Sequence, residues 1–141
     1  MDQAQILELS KQHPVIFFDG VCGLCNGAVD ALLTRDLDAH FRFAPLQGSS
    51  ARAVLTADEC KQLQTFVLVK NQQIYRRSTA ALEIMRSLGG GWQILGMTFF
   101  LCPQFIRDFI YSLVAKNRYR VWGKKDICRV PTASERARFL D

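Results

Sequence analysis

The sequence predicts an α/β fold: a mixed four-stranded sheet with helices on its faces and an added C-terminal helical extension. Three observations predict it. Val15-Ile16-Phe17-Phe18 and Phe66 to Val69 are short runs of β-branched and aromatic residues, the pattern of fully buried strands. Leu24, Ala28, Val29, Leu32 and Leu33 recur at helical spacing after the first run. The 141 residues are 49% apolar, which suits one domain whose core needs no staples.

The elements follow in order. Met1 to Gln12 is polar and helix-prone. Pro14 and Gly20 bound the first strand, and Gly20 and Gly23 flank the turn into the first crossover helix. Phe41 to Leu46 alternates apolar and polar residues and reads as a second strand ending near Pro45. Ser49 or Ser50 can cap a short helix through Leu55. Thr56 and Asp58 open a further turn towards Leu63. After the Phe66 strand, Asn71-Gln72-Gln73 is a polar turn and Ile74-Tyr75-Arg76-Arg77 its hairpin partner. Ser78 is a candidate cap for a helix with an Ala81, Leu82, Met85 and Leu88 stripe, stopped by Gly89-Gly90-Gly91. Trp92 to Leu101 is apolar and reads as a buried or interfacial piece. Pro103 suits a helix first turn. Phe105, Ile106, Phe109, Ile110, Leu113 and Val114 then repeat with the helical period. Phe99, Phe100, Phe105 and Phe109 are expected in the core.

The resulting order is β-α-β-α-β-β-α plus the extension. A strand, crossover helix and strand make a right-handed parallel unit. The last two strands share a tight turn and are expected antiparallel. This is the element order of the thioredoxin fold. Residues 1–141 are read as a single thioredoxin-like domain, with a core at about 14–90 and a helical extension at about 91–141.

Net charge is +5, from 18 Lys and Arg against 13 Asp and Glu. Eight basic residues lie between Lys116 and Arg138, opposed only by Asp126 and Glu135. The plain reading is a solvated basic tail; the sharper one is a patch for an anionic partner. Nucleic acid is not an expected partner, and membrane-surface contact is the lesser expectation. The apolar stretch at Trp92 to Leu101 is far shorter than the roughly 20 residues of a spanning helix. Five cysteines cannot all pair within one chain. The N-terminal stretch has no basic n-region or apolar h-region, so a reducing, cytoplasmic setting is expected.

The chemistry centres on Asp19-Gly20-Val21-Cys22-Gly23-Leu24-Cys25. Cys22 falls near the N-cap of a helix, where unpaired N–H groups and the dipole favour negative charge. The thiolate is the nucleophile, and such placement lowers a cysteine pKa. Cys25 lies one turn on, so the sulfurs can meet. Cys22 is thus the candidate attacking thiol and Cys25 the resolving one. Asp19 has two candidate roles, proton transfer with Cys25 or an Asx-type turn that shapes the loop. Gly20 and Gly23 supply backbone freedom and close approach.

A zinc site is the main rival, and it needs about two more ligands. Cys60, Cys102, Cys128, His13 and His40 are the candidates, but none forms a second close-spaced pair. Taken singly, Cys60 reads as a surface thiol. Cys102 reads as a packing residue or cap. Cys128 is a tail residue that can approach the active loop.

With Asp19, Cys22 and Cys25 in a DxxCxxC pattern after the first strand, the chain resembles the DCC family of predicted thiol–disulfide oxidoreductases, the DUF393 or YuxK-like family. Arg77-Ser78-Thr79-Ala80-Ala81-Leu82 is similar to that family's Ser-containing helix start. Tyr111, Asn117-Arg118-Tyr119-Arg120, Gly123-Lys124 and Cys128 resemble its C-terminal signature. The resemblance spans Val15 to Phe139. It implies a thioredoxin-like, redox-active protein and makes Ser78, Arg118, Tyr119 and Cys128 candidate site-lining residues beside Gly20. Arg118 and Tyr119 either line the groove by Cys22 or anchor the extension, with anchoring preferred. Three features depart from ordinary thioredoxins. Val21 replaces an aromatic, Gly23-Leu24 lacks a proline, and Gln64-Thr65 stands where a proline would precede the Phe66 strand.

The expected function is dithiol–disulfide exchange on a protein or small-molecule disulfide or thiol. No bound cofactor is required, and a reducing partner is needed for turnover. A metal-binding or non-catalytic interaction module using the same cysteines is the alternative.

Overall fold

The computed structural model describes residues 2–20, 22–36, 39–58, 66–123, 132–133 and 135–140, with the backbone alone at Arg118. The elements are α1 (Gln3–Leu9), β1 (Val15–Phe18), α2 (Gly23–Arg35), β2 (Arg42–Pro45), α3 (Ser49–Val54), β3 (Phe66–Lys70), β4 (Gln73–Arg76), α4 (Arg77–Leu88), α5 (Gly90–Phe99) and α6 (Gln104–Trp122). A short 3-10 turn, Arg136–Arg138, follows.

The strands form one sheet in the order β2-β1-β3-β4. β1 and β2 are parallel, Ile16 opposite Phe43, as a crossover through α2 requires. β1 pairs antiparallel with β3, Ile16 opposite Leu68, and β3 with β4. The β3–β4 turn is closed by Asn71 and Gln72, both at positive φ, the backbone a two-residue hairpin demands. This mixed sheet, with its helices, is a thioredoxin-like α/β fold.

Every side chain of β1 is buried, because helices cover both faces of the sheet. Ile16, Phe18, Phe43 and Leu68 pack under α2 and α4 with Val29, Leu32, Ala80 and Ile84. On the other face Val15, Phe17, Val67 and Val69 pack with Ile6 of α1 and Ala51 of α3. Burying each Val, Leu, Ile or Phe side chain among these contributes about 1.5–3 kcal/mol. β1 therefore ends at a rigid, doubly covered point, and the DxxCxxC loop leaves from there.

Several expectations need correction. The buried stripe of α2 is Cys25, Asn26, Val29 and Leu32, with Leu24, Ala28 and Leu33 only half-buried. In α4 the buried apolar residues are Ala80, Leu82 and Ile84; Ala81, Met85 and Leu88 sit at the margin. The turn before each helix sets its rotation, and residue spacing alone leaves that rotation open by one position. Neither Ser49 nor Ser50 caps α3, whose N-cap is Gly48. Nor does Ser78 cap α4: the N-cap is Arg76, and Ser78 Oγ instead donates to Asp108 Oδ1 at 2.5 Å. The largest correction concerns the aromatics. Phe99, Phe105 and Phe109 are exposed rather than in the core, and Phe100 is half-buried. The end of the tail is not simply solvated. Phe139 packs on Phe18 and Phe43, Leu140 N–H donates to the Phe43 carbonyl at 2.9 Å, and Arg138 pairs with Asp36. The expected turn towards Leu63 runs into residues outside those described. No helix among the described residues is long and apolar enough to cross a membrane.

Candidate functional site

The DxxCxxC loop joins the buried end of β1 to the first turn of α2. Asp19 is fully buried. Its carbonyl accepts the Cys22 N–H at 3.2 Å, which closes the turn. Cys22 is the N-cap of α2, in extended conformation, and its carbonyl accepts the Asn26 N–H at 3.0 Å. Asn26 Nδ2 reaches back to the carbonyls of Gly20 at 2.9 Å and Cys22 at 3.0 Å. One side chain in the first helical turn thus braces the loop on both sides of the first cysteine.

Cys22 and Cys25 are both free thiols with no exposed surface. They are hydrogen-bonded to one another. Burial pushes the Cys25 thiol well above its ordinary value of 9.0, and the charge and hydrogen bond of Cys22 push it further. A backbone hydrogen bond at Asp19 acts the other way, and the Asp19 charge adds to the rise. Cys25 therefore holds its proton tightly in the dithiol form.

That proton has a consequence for stability. The folded state binds it more tightly than the unfolded chain, so the contribution is fully present below pH 9.0 and is lost as pH rises above it. In thermal unfolding under reductant, Tm of the reduced protein is expected to fall more steeply above pH 9.0 than that of Cys25→Ser. Parallel curves would show that Cys25 is not held in this way.

The Asp19 carboxylate takes two side-chain donors from distant segments. Gln47 Nε2 donates to Oδ1 at 2.7 Å, and the Tyr119 hydroxyl donates to Oδ2. Gln47 Oε1 also accepts the Gly20 N–H at 3.1 Å, so this one amide ties the loop to the segment after β2. Tyr119 lies in α6, so its bond to Asp19 ties that helix to the DxxCxxC loop. Tyr111, about two turns earlier in α6, accepts the Phe66 N–H on its hydroxyl at 2.9 Å.

The end of α6 crosses the start of α2. Gly23 N–H donates to the Gly123 carbonyl at 3.1 Å. A Cβ on Gly23 would lie 2.2 Å from the Trp122 carbonyl oxygen, so only glycine permits this approach. The close approach expected of Gly23 is real, and its partner is the C-terminal helix.

The other foreseen residues divide. Gly20 belongs to the loop. Ser78 bonds Asp108 and holds α4 to α6. The side chain of Arg118, together with Val21, Cys60, Gln64, Thr65 and Cys128, lies outside the described residues. Cys102 is half-buried between α5 and α6. His13 Nδ1 bonds the His40 carbonyl at 2.9 Å. Among the described residues no three Cys, His, Asp or Glu groups converge as a metal site would require. Sequence reasoning missed Gln47 and Asn26. Asn26 was in reach, directly after the CxxC; nothing local marks Gln47, which acts across the sheet.

A family model described as DCC1-like thiol-disulfide oxidoreductase matches residues 16–124. The chain is similar to the uncharacterized protein YuxK of Bacillus subtilis (strain 168), at 41% identity over 135 residues, 93% of this chain and 98% of that protein. It is also similar to a chloroplastic DCC family protein of Arabidopsis thaliana, at 35% identity over 121 residues, 84% of this chain and 70% of that protein. No solved structure matches it.

Proposed function

Since this chain belongs to the DCC1-like thiol–disulfide oxidoreductase family, we propose that it works by dithiol–disulfide exchange at Cys22 and Cys25. The observation that carries this reading is the hydrogen-bonded pair of free thiols at the N-terminus of α2, with Cys25 held protonated.

In the proposed cycle the Cys22 thiolate attacks one sulfur of a substrate disulfide. That bond breaks, one substrate thiolate leaves, and a mixed disulfide forms on Cys22. Cys25 then loses its proton and attacks the Cys22 sulfur. The second substrate thiolate leaves and the Cys22–Cys25 disulfide closes. The substrate gains two electrons and the pair loses two, so an external thiol reductant must restore the dithiol. No bound cofactor enters. A reducing compartment such as the cytoplasm would maintain that supply.

Asp19 is proposed to accept the Cys25 proton in the resolving step, with Gln47 and Tyr119 fixing its carboxylate. Gly20 belongs to the same loop. Ser78, Arg118 and Cys128 are given no chemical step. Because Cys22 is buried, substrate must displace whatever lies over it, and the end of α6, packed against the neighbouring Gly23, is the proposed segment to move.

The test uses Cys25→Ser and a model disulfide. It should trap a stable mixed disulfide on Cys22, visible as added substrate mass. Asp19→Asn in an otherwise native chain should lengthen the life of that intermediate by roughly a hundredfold. Adduct formation at another cysteine, or no adduct at all, would remove the assignment of Cys22.

A further inference from the structure

We propose that the outer face of α5 and α6 docks on an acidic phospholipid bilayer surface, lying in the interface without crossing it. α6 is turned inside out for a helix at a water-facing surface. Its inward side carries hydrogen-bonding groups: Asp108 to Ser78, Tyr111 to Phe66 and Tyr119 to Asp19. Its outward side carries Phe105 and Phe109, 75% and 65% exposed, with Leu113 beside them. α5 and the turn after it carry exposed apolar side chains as well, Ile94 at 69% and Leu101 at 86% exposure. Large exposed apolar side chains repeated along one helix face mark an interaction site rather than a solvated face.

Charge selects the occupant. At helical spacing, Lys116 and Arg120 continue the strip begun by Phe105 and Phe109, and both are exposed. Asp108 is the single acidic residue in 90–123, and its carboxylate faces Ser78. A second copy would bring the same positive excess and no acid to meet it. Acidic headgroups meet Lys116 and Arg120, while the acyl boundary takes the phenylalanines.

The test is co-sedimentation of the full chain with vesicles of phosphatidylcholine, alone or mixed with phosphatidylglycerol. Sedimentation with the acidic vesicles is expected, with binding on the order of tenfold weaker to phosphatidylcholine alone and weakened by salt. Phe105→Ser with Phe109→Ser, and separately Lys116→Gln with Arg120→Gln, should each lower partitioning on the order of tenfold. Both pairs are exposed, and an unchanged circular dichroism spectrum confirms the fold. No sedimentation with acidic vesicles, or sedimentation that survives both double variants, overturns the proposal. A dimer in ultracentrifugation that dissociates on Phe105→Ser with Phe109→Ser would assign the face to a second copy and overturn it equally. None of these outcomes depends on the redox reading.

Discussion

Cys22→Ser is expected to lower the rate of disulfide exchange by at least about a thousandfold, to the level of the uncatalysed reaction with the same reductant. The loss should be this large because the other steps wait on the first attack. Cys25 cannot substitute, since burial and its neighbour keep it protonated. Cys25→Ser should behave differently: the first attack survives, turnover stops, and the mixed disulfide accumulates. A Cys22→Ser protein that retains wild-type exchange would place the chemistry elsewhere in the chain.

Gly23→Ala is expected to cost about 2–3 kcal/mol and to lower Tm by roughly 10 °C. The added Cβ meets backbone, not a flexible side chain, at 2.2 Å from the Trp122 oxygen. Either the first turn of α2 or the end of α6 has to move. The Gly23 N–H to Gly123 carbonyl bond is lost in both cases. Lifting the end of α6 also uncovers the cysteine loop, so Cys22 should alkylate faster in the native state. An unchanged Tm together with unchanged alkylation would mean that this contact does not exist in solution.

The sheet was readable in the sequence because each strand announces itself by content. Val15–Phe18 and Phe66–Val69 are too apolar and too short for anything but central strands, and Asn71-Gln72 between strand-like runs makes a hairpin. The first cysteine was placed at the N-cap by the same logic, from the strand before it and the helical spacing after it. Tyr119 was noticed only through a resemblance, since the Tyr119–Asp19 bond spans a hundred residues and has no local signature. Gln47 is the plainest omission. A glutamine after a strand looks like surface, and only the parallel pairing of β1 with β2 brings it to the loop.

The exposed aromatics show the limit from the other side. Phe105, Phe109 and Leu113 have the spacing of a core stripe, and spacing reports that a face is apolar without reporting what it faces. The polar residues on the opposite side of α6 decided its orientation. Asp108, Tyr111 and Tyr119 each satisfy a partner in the domain, and this turns the phenylalanines outward.

The most direct measurement of the central claim is a redox titration of the protein in thiol–disulfide buffers, with the bonded cysteines mapped by mass spectrometry. The account predicts one reversible two-electron couple, with a tenfold change in ratio per roughly 30 mV, and a Cys22–Cys25 disulfide as its oxidised form. Oxidation that bypasses this pair, or a Cys22–Cys25 bond that never forms at any poise, would contradict it.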